Sequence, residues 1–265
     1  MKTMILALAT LGAFGTLQAA VITRTVEYAQ GGVTLEGYLA YDDAVEGRRP
    51  GVLVVHEWTG LGPYVKKRVE ALAAMGYVAF GADVYGTGVR PASGPDAAAV
   101  AGKYKQDRAL LRARVAAALD ELRKDPRVDP ARVAAIGYCF GGTAVLELAR
   151  SGADVAGVVS FHGSLDTPAP DDAKNIKAKV LVLHGGDDPF VPPAQVAAFQ
   201  AEMRKAGTDW RMVIYGGAVH SFTNPEAGAD PSRGAAYHAT ADRRSWADLR
   251  HFFDEIFGKT VPDTM

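Results

Sequence analysis

The feature that most constrains this chain is an alternation. From residue 49 onward, continuous β-branched runs take turns with segments whose apolar residues recur at helical spacing. "RPGVLVVHEW" reads as a strand buried on both faces, because its apolar run is unbroken. "YVKKRVEALAAMGY" has helical periodicity and stops at Gly76, a natural residue just beyond a helix. "YVAFGADVYG" is the next strand, and residues 95–124 form a long helix-rich segment ending before Pro126. "RVAAIGY", "VAGVVSFHG", "AKVLVLHGG" and "WRMVIYGG" are further strands; "GGTAVLELAR", "PPAQVAAFQAEMRKAG" and residues 241–257 are further helices. This order predicts an α/β fold: a mostly parallel central sheet with helices on both faces, and chemistry at the carboxyl ends of the strands.

Ahead of the alternation, "VITRTVEYA" and "VTLEGYLAYD" flank "QGG" and read as a hairpin. No internal repeat, low-complexity tract or linker interrupts the chain, so residues 21–265 are expected to form one domain. The 265 residues are 48% apolar with a net charge of −1, enough for a large core. No basic stripe points to a nucleic-acid partner, and no acidic block points to a disordered tail.

Residues 1–20, "MKTMILALATLGAFGTLQAA", have another character. Lys2 is followed by an apolar run over residues 4–17 and by small residues at Ala19 and Ala20, the layout of a secretory signal peptide. The run is short for a bilayer span, and nothing later approaches transmembrane length. An uncleaved anchor is the competing reading. The expectation is export, to a bacterial periplasm, with no stable membrane anchor after processing.

Export sharpens the question of Cys139, the chain's one cysteine. In an oxidising compartment cysteines normally pair, so a lone one is either buried and inert or kept for its reactivity. It sits in "GYCFGG", at the point where a strand gives way to a helix. With 29 glycines in 265 residues, two at these offsets arise by chance about once in a hundred, which favours the G-x-S-x-G nucleophile elbow with Cys in place of Ser. The Phe140 backbone N–H then stands at the helix N-terminus, where an oxyanion would form.

A thiol nucleophile needs a base, and the base an orienting group. In α/β-hydrolase order the acid comes next and the histidine last. "HGGDDPFVPP" offers Asp187 and Asp188. Either could cap the following helix, but Pro189 biases Asp188 to an extended conformation, which favours it. His220, in the loop after the last strand, is the candidate base. His56, His162, His184, His238 and His251 read as structural, although His162 in "SFHG" could line the pocket. Glu57, directly after a buried strand, needs a partner or serves as a cap for the helix starting near Pro63. No His/Cys cluster suggests a metal, and no cofactor is implied.

Taken together, "GYCFGG", "DPFVP" and "HSF" resemble, in order, the cysteine, aspartate and histidine motifs of the dienelactone hydrolase family, over residues 23–257. The resemblance implies the α/β-hydrolase fold, a Cys139–His220–Asp188 triad and a small-molecule ester or lactone substrate. It also implies that Glu57 accepts the resting thiol's hydrogen bond, guarding it, and that the Trp58 N–H joins that of Phe140 in the oxyanion hole. The pattern departs from the family in one respect. "DVYGTG" and "HSFTNP" lack the two arginines that hold a substrate carboxylate there, leaving Arg90 and Arg233 as possible substitutes. A thioesterase or acyltransferase on the same fold, and a binding protein with a redox-sensitive thiol, stay open as alternatives.

Overall fold

The computed structural model describes residues 20–92 and 94–258; residues 1–19 of the expected signal peptide lie outside them. Eight strands form one sheet in the order β1-β2-β4-β3-β5-β6-β7-β8. β1 (Val21–Gln30) and β2 (Val33–Asp42) make the hairpin, and β2 pairs antiparallel with β4 (Val78–Ala82). From β4 through β3 (Arg49–Val55), β5 (Val128–Tyr138), β6 (Gly157–Phe161), β7 (Lys179–Gly185) and β8 (Trp210–Tyr215) every pairing is parallel. Because side chains alternate across a strand, β3 sends Leu53 and Val55 into one core and Val52 and Val54 into the other.

Helices α1 (Pro63–Ala74) and α6 (Ala239–Phe257) cover the second face, with Val69, Leu72, Leu249 and Phe253 fully buried there. The first face is covered by α2 (Gly94–Gln106), α3 (Arg108–Arg123), α4 (Phe140–Arg150) and α5 (Pro193–Ala206). The helix-rich segment over residues 95–124 is two helices. The chain breaks at Asp107, whose carboxylate accepts the Leu110 N–H and caps α3.

All eleven residues of α4 are buried. Its far end is tied by Arg150, which donates to Glu202 at 2.8 and 2.9 Å, to Glu147 at 3.0 Å and to the Leu165 carbonyl. A buried guanidinium satisfied on so many sides holds its helix in one place. The near end of α4 is the strand-to-helix turn at Cys139.

Candidate active site

Tyr138 ends β5 and Phe140 begins α4, so one residue must reverse the chain. Cys139 does so at φ 53, ψ −113, a positive-φ conformation that costs a non-glycine residue about 1–3 kcal/mol. The turn is possible because the residues two places to either side, Gly137 and Gly141, have no side chains. A Cβ on Gly137 would lie 2.0 Å from the Gly141 carbonyl oxygen, and one on Gly141 would lie 2.2 Å from that of Val55. The Cys139 N–H is held from below by the Phe161 carbonyl at 3.0 Å and by His162 Nδ1 at 3.2 Å. Phe140 opens α4, where N–H groups have no partner within the helix.

The loop after β8 carries His220 back over the sheet. Its backbone is pinned at both ends by the segment 234–236: His220 N–H donates to the Gly234 carbonyl, and Ala236 N–H to that of His220. His220 Nε2 stands 3.1 Å from Cys139 Sγ, and Nδ1 stands 2.8 Å from Asp188 Oδ2. Asp188 is buried beyond β7, and its other oxygen accepts the Phe190 N–H at 2.9 Å. Asp187 is exposed. The structure therefore brings together Cys139, His220 and Asp188. Burial opposes a charge on the His220 ring, but its interactions with Cys139 and Asp188 outweigh it and push the imidazole up to about 10.

Glu57 follows β3 and His56, and it is buried. It does not cap α1, whose N-cap is Gly62 with no side-chain bond. Nor does it accept a hydrogen bond from the thiol, as the family resemblance implied. Glu57 Oε2 instead accepts from Asn224 Nδ2 at 2.7 Å. The reason is geometric: the turn aims Cys139 Sγ at His220, while Asn224 occupies the carboxylate. Burial pushes the Glu57 carboxyl up to about 7, against the Asn224 bond and the nearby His220, which pull it down. His56 is structural: it accepts the Val84 N–H on Nε2 and meets the Glu57 carbonyl through Nδ1, which ties this loop to the end of β4. Trp58 is 40% exposed, and its carbonyl accepts the Tyr85 hydroxyl at 3.0 Å.

Cys139, His220, Glu57, Trp58, Asn224 and Phe190 line a cleft of about 830 Å³, large enough for a small organic substrate. Arg233 and Lys105 also line it. Arg90 does not. Its guanidinium donates to the Leu61 and Val89 carbonyls and stands 3.6 Å from buried Asp83, beside an adjoining cleft of about 450 Å³ that shares Thr59, Gly62 and Pro63 with the first. Asn224 and Lys105 were missed from the sequence: "TNP" reads as a turn, and Lys105 looks like any solvated helix lysine. His162 does not line this cleft; it is buried under the turn. Among the described residues no group of three or more His, Cys, Asp or Glu could hold a metal ion.

Residues 35–257 match the dienelactone hydrolase family. A solved structure, the dienelactone hydrolase-like promiscuous phosphotriesterase P91 from metagenomic libraries, is 41% identical, covers 90% of this chain and 100% of its own, and superposes with a TM-score of 0.85. Protein usf of Aquifex pyrophilus is 32% identical over 75% of this chain and 86% of its own. A "Probable 2-oxo-3-(5-oxofuran-2-ylidene)propanoate lactonase" of Bradyrhizobium sp is 29% identical over 76% of this chain and 85% of its own.

Proposed function

This chain belongs to the dienelactone hydrolase family, ester and lactone hydrolases on the α/β-hydrolase fold, and we propose that it works through a Cys139–His220–Asp188 triad and an acyl-enzyme. The observation that carries the reading is His220, 3.1 Å from the sulfur on one side and 2.8 Å from Asp188 on the other. Cys139 Sγ attacks the acyl carbon as a thiolate, its proton held on His220 Nε2. The carbonyl π pair moves onto oxygen, where the Phe140 and Trp58 N–H groups receive it. Collapse expels the alkoxide, which takes the proton from His220. A water, deprotonated by His220, then attacks the thioester; the sulfur leaves and the acid product is released. Asp188 accepts the Nδ1–H throughout, fixing the tautomer and favouring the charged ring.

The substrate class we propose is a small carboxylic ester or lactone. The likeness to a phosphotriesterase adds phosphotriesters to the panel worth assaying. We also propose export, on the strength of the sequence of residues 1–20. Rapid mixing with a chromogenic ester tests the chemistry: a burst of leaving group near one equivalent, with an acyl adduct on Cys139 by mass spectrometry, is expected. No adduct at that residue would refute the triad. A mature N-terminus near residue 20 or 21, recovered from a periplasmic fraction, is the expected outcome for export; an intact Met1 refutes it.

A further inference from the structure

Three non-glycine residues of the described chain have positive φ: Cys139 at 53°, His162 at 40° and Ser221 at 55°. Such strain persists where the surrounding structure imposes it, and it gathers at functional sites. Cys139 is the turn itself and Ser221 follows His220. His162 has no part in the chemistry above. It is the first residue after β6 and is buried.

Its contacts explain its place. The Cys139 N–H donates to His162 Nδ1 at 3.2 Å, so that nitrogen carries no proton. The ring proton is then on Nε2, which donates to Thr223 Oγ1 at 2.7 Å. Thr223 Oγ1 meets the Tyr64 hydroxyl at 2.6 Å, and Arg68 Nε donates to that hydroxyl at 3.2 Å. Arg68 Nη2 binds the Thr223 carbonyl and Asp242 of α6, which anchors the chain of bonds to two helices. The His162 ring also meets that of His220 edge to face, with centroids 5.3 Å apart. We propose that His162 is a positioning residue: its bare Nδ1 holds the nucleophile's backbone while its ring supports the base, so that Cys139 and His220 share one mount.

The mount works only if the ring stays neutral. A protonated Nδ1 would lose the Cys139 N–H and would stand beside a charged His220. The groups facing His162 are Tyr138 and Cys139 from the turn, His184 from β7, His220 and Thr223 from the last loop, and Tyr64 and Arg68 from α1. Burial, with His220 next, holds the ring well below the usual histidine range.

The proposal rests on Cys139 being the nucleophile, so one test must not need turnover. In the full chain carrying 15N-histidine, His162 should show a bare Nδ1 and a protonated Nε2, unchanged between about pH 5.5 and 9. A ring that titrates in that range, or carries its proton on Nδ1, overturns the proposal. His162→Leu leaves the Cys139 N–H only the Phe161 carbonyl and removes its side-chain acceptor, whereas His162→Asn offers Oδ1 near the Nδ1 position. The Leu variant should lose about 10²-fold in kcat, the scale of a misplaced reacting group, with KM little changed and alkylation of Cys139 by iodoacetamide slowed. The Asn variant should recover about tenfold of that kcat loss. Wild-type kcat in the Leu variant overturns the proposal, as does an equal loss in both. Should the Leu variant not fold, Thr223→Val, which frees Nε2, should lower kcat at constant KM; wild-type kcat there is equally fatal. A wild-type chain without esterase activity refutes the functional reading, while the nitrogen spectrum and alkylation rates still decide the role of His162.

Discussion

Glu57 and Asn224 lie 167 positions apart in sequence, yet their side chains meet at 2.7 Å beside the cleft that holds Cys139. A neutral amide is a weaker partner for a carboxylate than a guanidinium, so burial dominates and Glu57 is pushed up to about 7.

That shift has a sign. The folded chain keeps the Glu57 proton up to about pH 7, whereas the unfolded chain releases it near the ordinary 4.5. Between those values the native state binds more protons, so stability falls as pH rises. The stabilisation is complete below about pH 4.5 and is lost, on the order of 3 kcal/mol, as pH passes 7. Glu57→Gln keeps an acceptor for Asn224 without the charge. Its Tm should match the wild type near pH 4.5 and exceed it by several degrees near pH 8. A difference that is flat with pH, or that shrinks as pH rises, contradicts the assignment.

Cys139 is the largest influence raising the His220 pKa. Cys139→Ala should therefore make His220 titrate at lower pH than in the wild type, read from its ring resonances, and should reduce ester hydrolysis by several orders of magnitude. The positive φ adds a comparison. Cys139→Gly should be more stable than Cys139→Ala by about 1 kcal/mol, because a Cβ is strained there. Unfolding midpoints ordered the other way would mean that the turn is not strained.

Asp188→Asn keeps the side chain's shape but turns the amide's donor or its weaker acceptor toward His220. It should cost about 10³–10⁴ in kcat through the wrong imidazole tautomer. Asp187→Asn, at an exposed position, should change kcat less than about twofold. The opposite ranking would remove Asp188 from the mechanism.

How much of this was legible depended on distance along the chain. From β3 on, each strand announced itself by its own apolar run, β1 and β2 by the turn residues between them, and Cys139, Asp188 and His220 each sat in a local pattern at a strand end. The break at Asp107 was not legible because helical periodicity continues on both sides of it, and only the Asp107 side chain capping the Leu110 N–H marks it. Asn224 and His162 were opaque for a different reason. Their roles come from partners 167 and 23 residues away, and no local spacing encodes such pairs. The thiol-guarding role of Glu57 was carried over from the family, and the partner that Glu57 has in the structure, Asn224 of "HSFTNP", was not part of that resemblance.

The same departure bears on the substrate's charge. Arg90, one possible replacement for a carboxylate clamp, is committed to two carbonyls and Asp83 and faces another cleft. Apart from His220, which is paired with Cys139, the cations lining the active cleft are Arg233 and Lys105, the latter 3.4 Å from Ser164 Oγ. Against them the cleft also holds the carboxyls of Glu57 and Glu226. Above about pH 7, where Glu57 is ionised, two charges of each sign give an anionic substrate no net advantage, and Arg233 is exposed, where an ion pair contributes about 0–1 kcal/mol. Neutral esters should thus be turned over at least as well as carboxylated lactones. Arg233→Gln should change the ratio of the two kcat/KM values less than about fivefold, and Arg90→Gln should lower Tm while leaving that ratio alone. A preference for the carboxylated lactone of about a hundredfold, abolished by Arg233→Gln, would instead make Arg233 a true clamp.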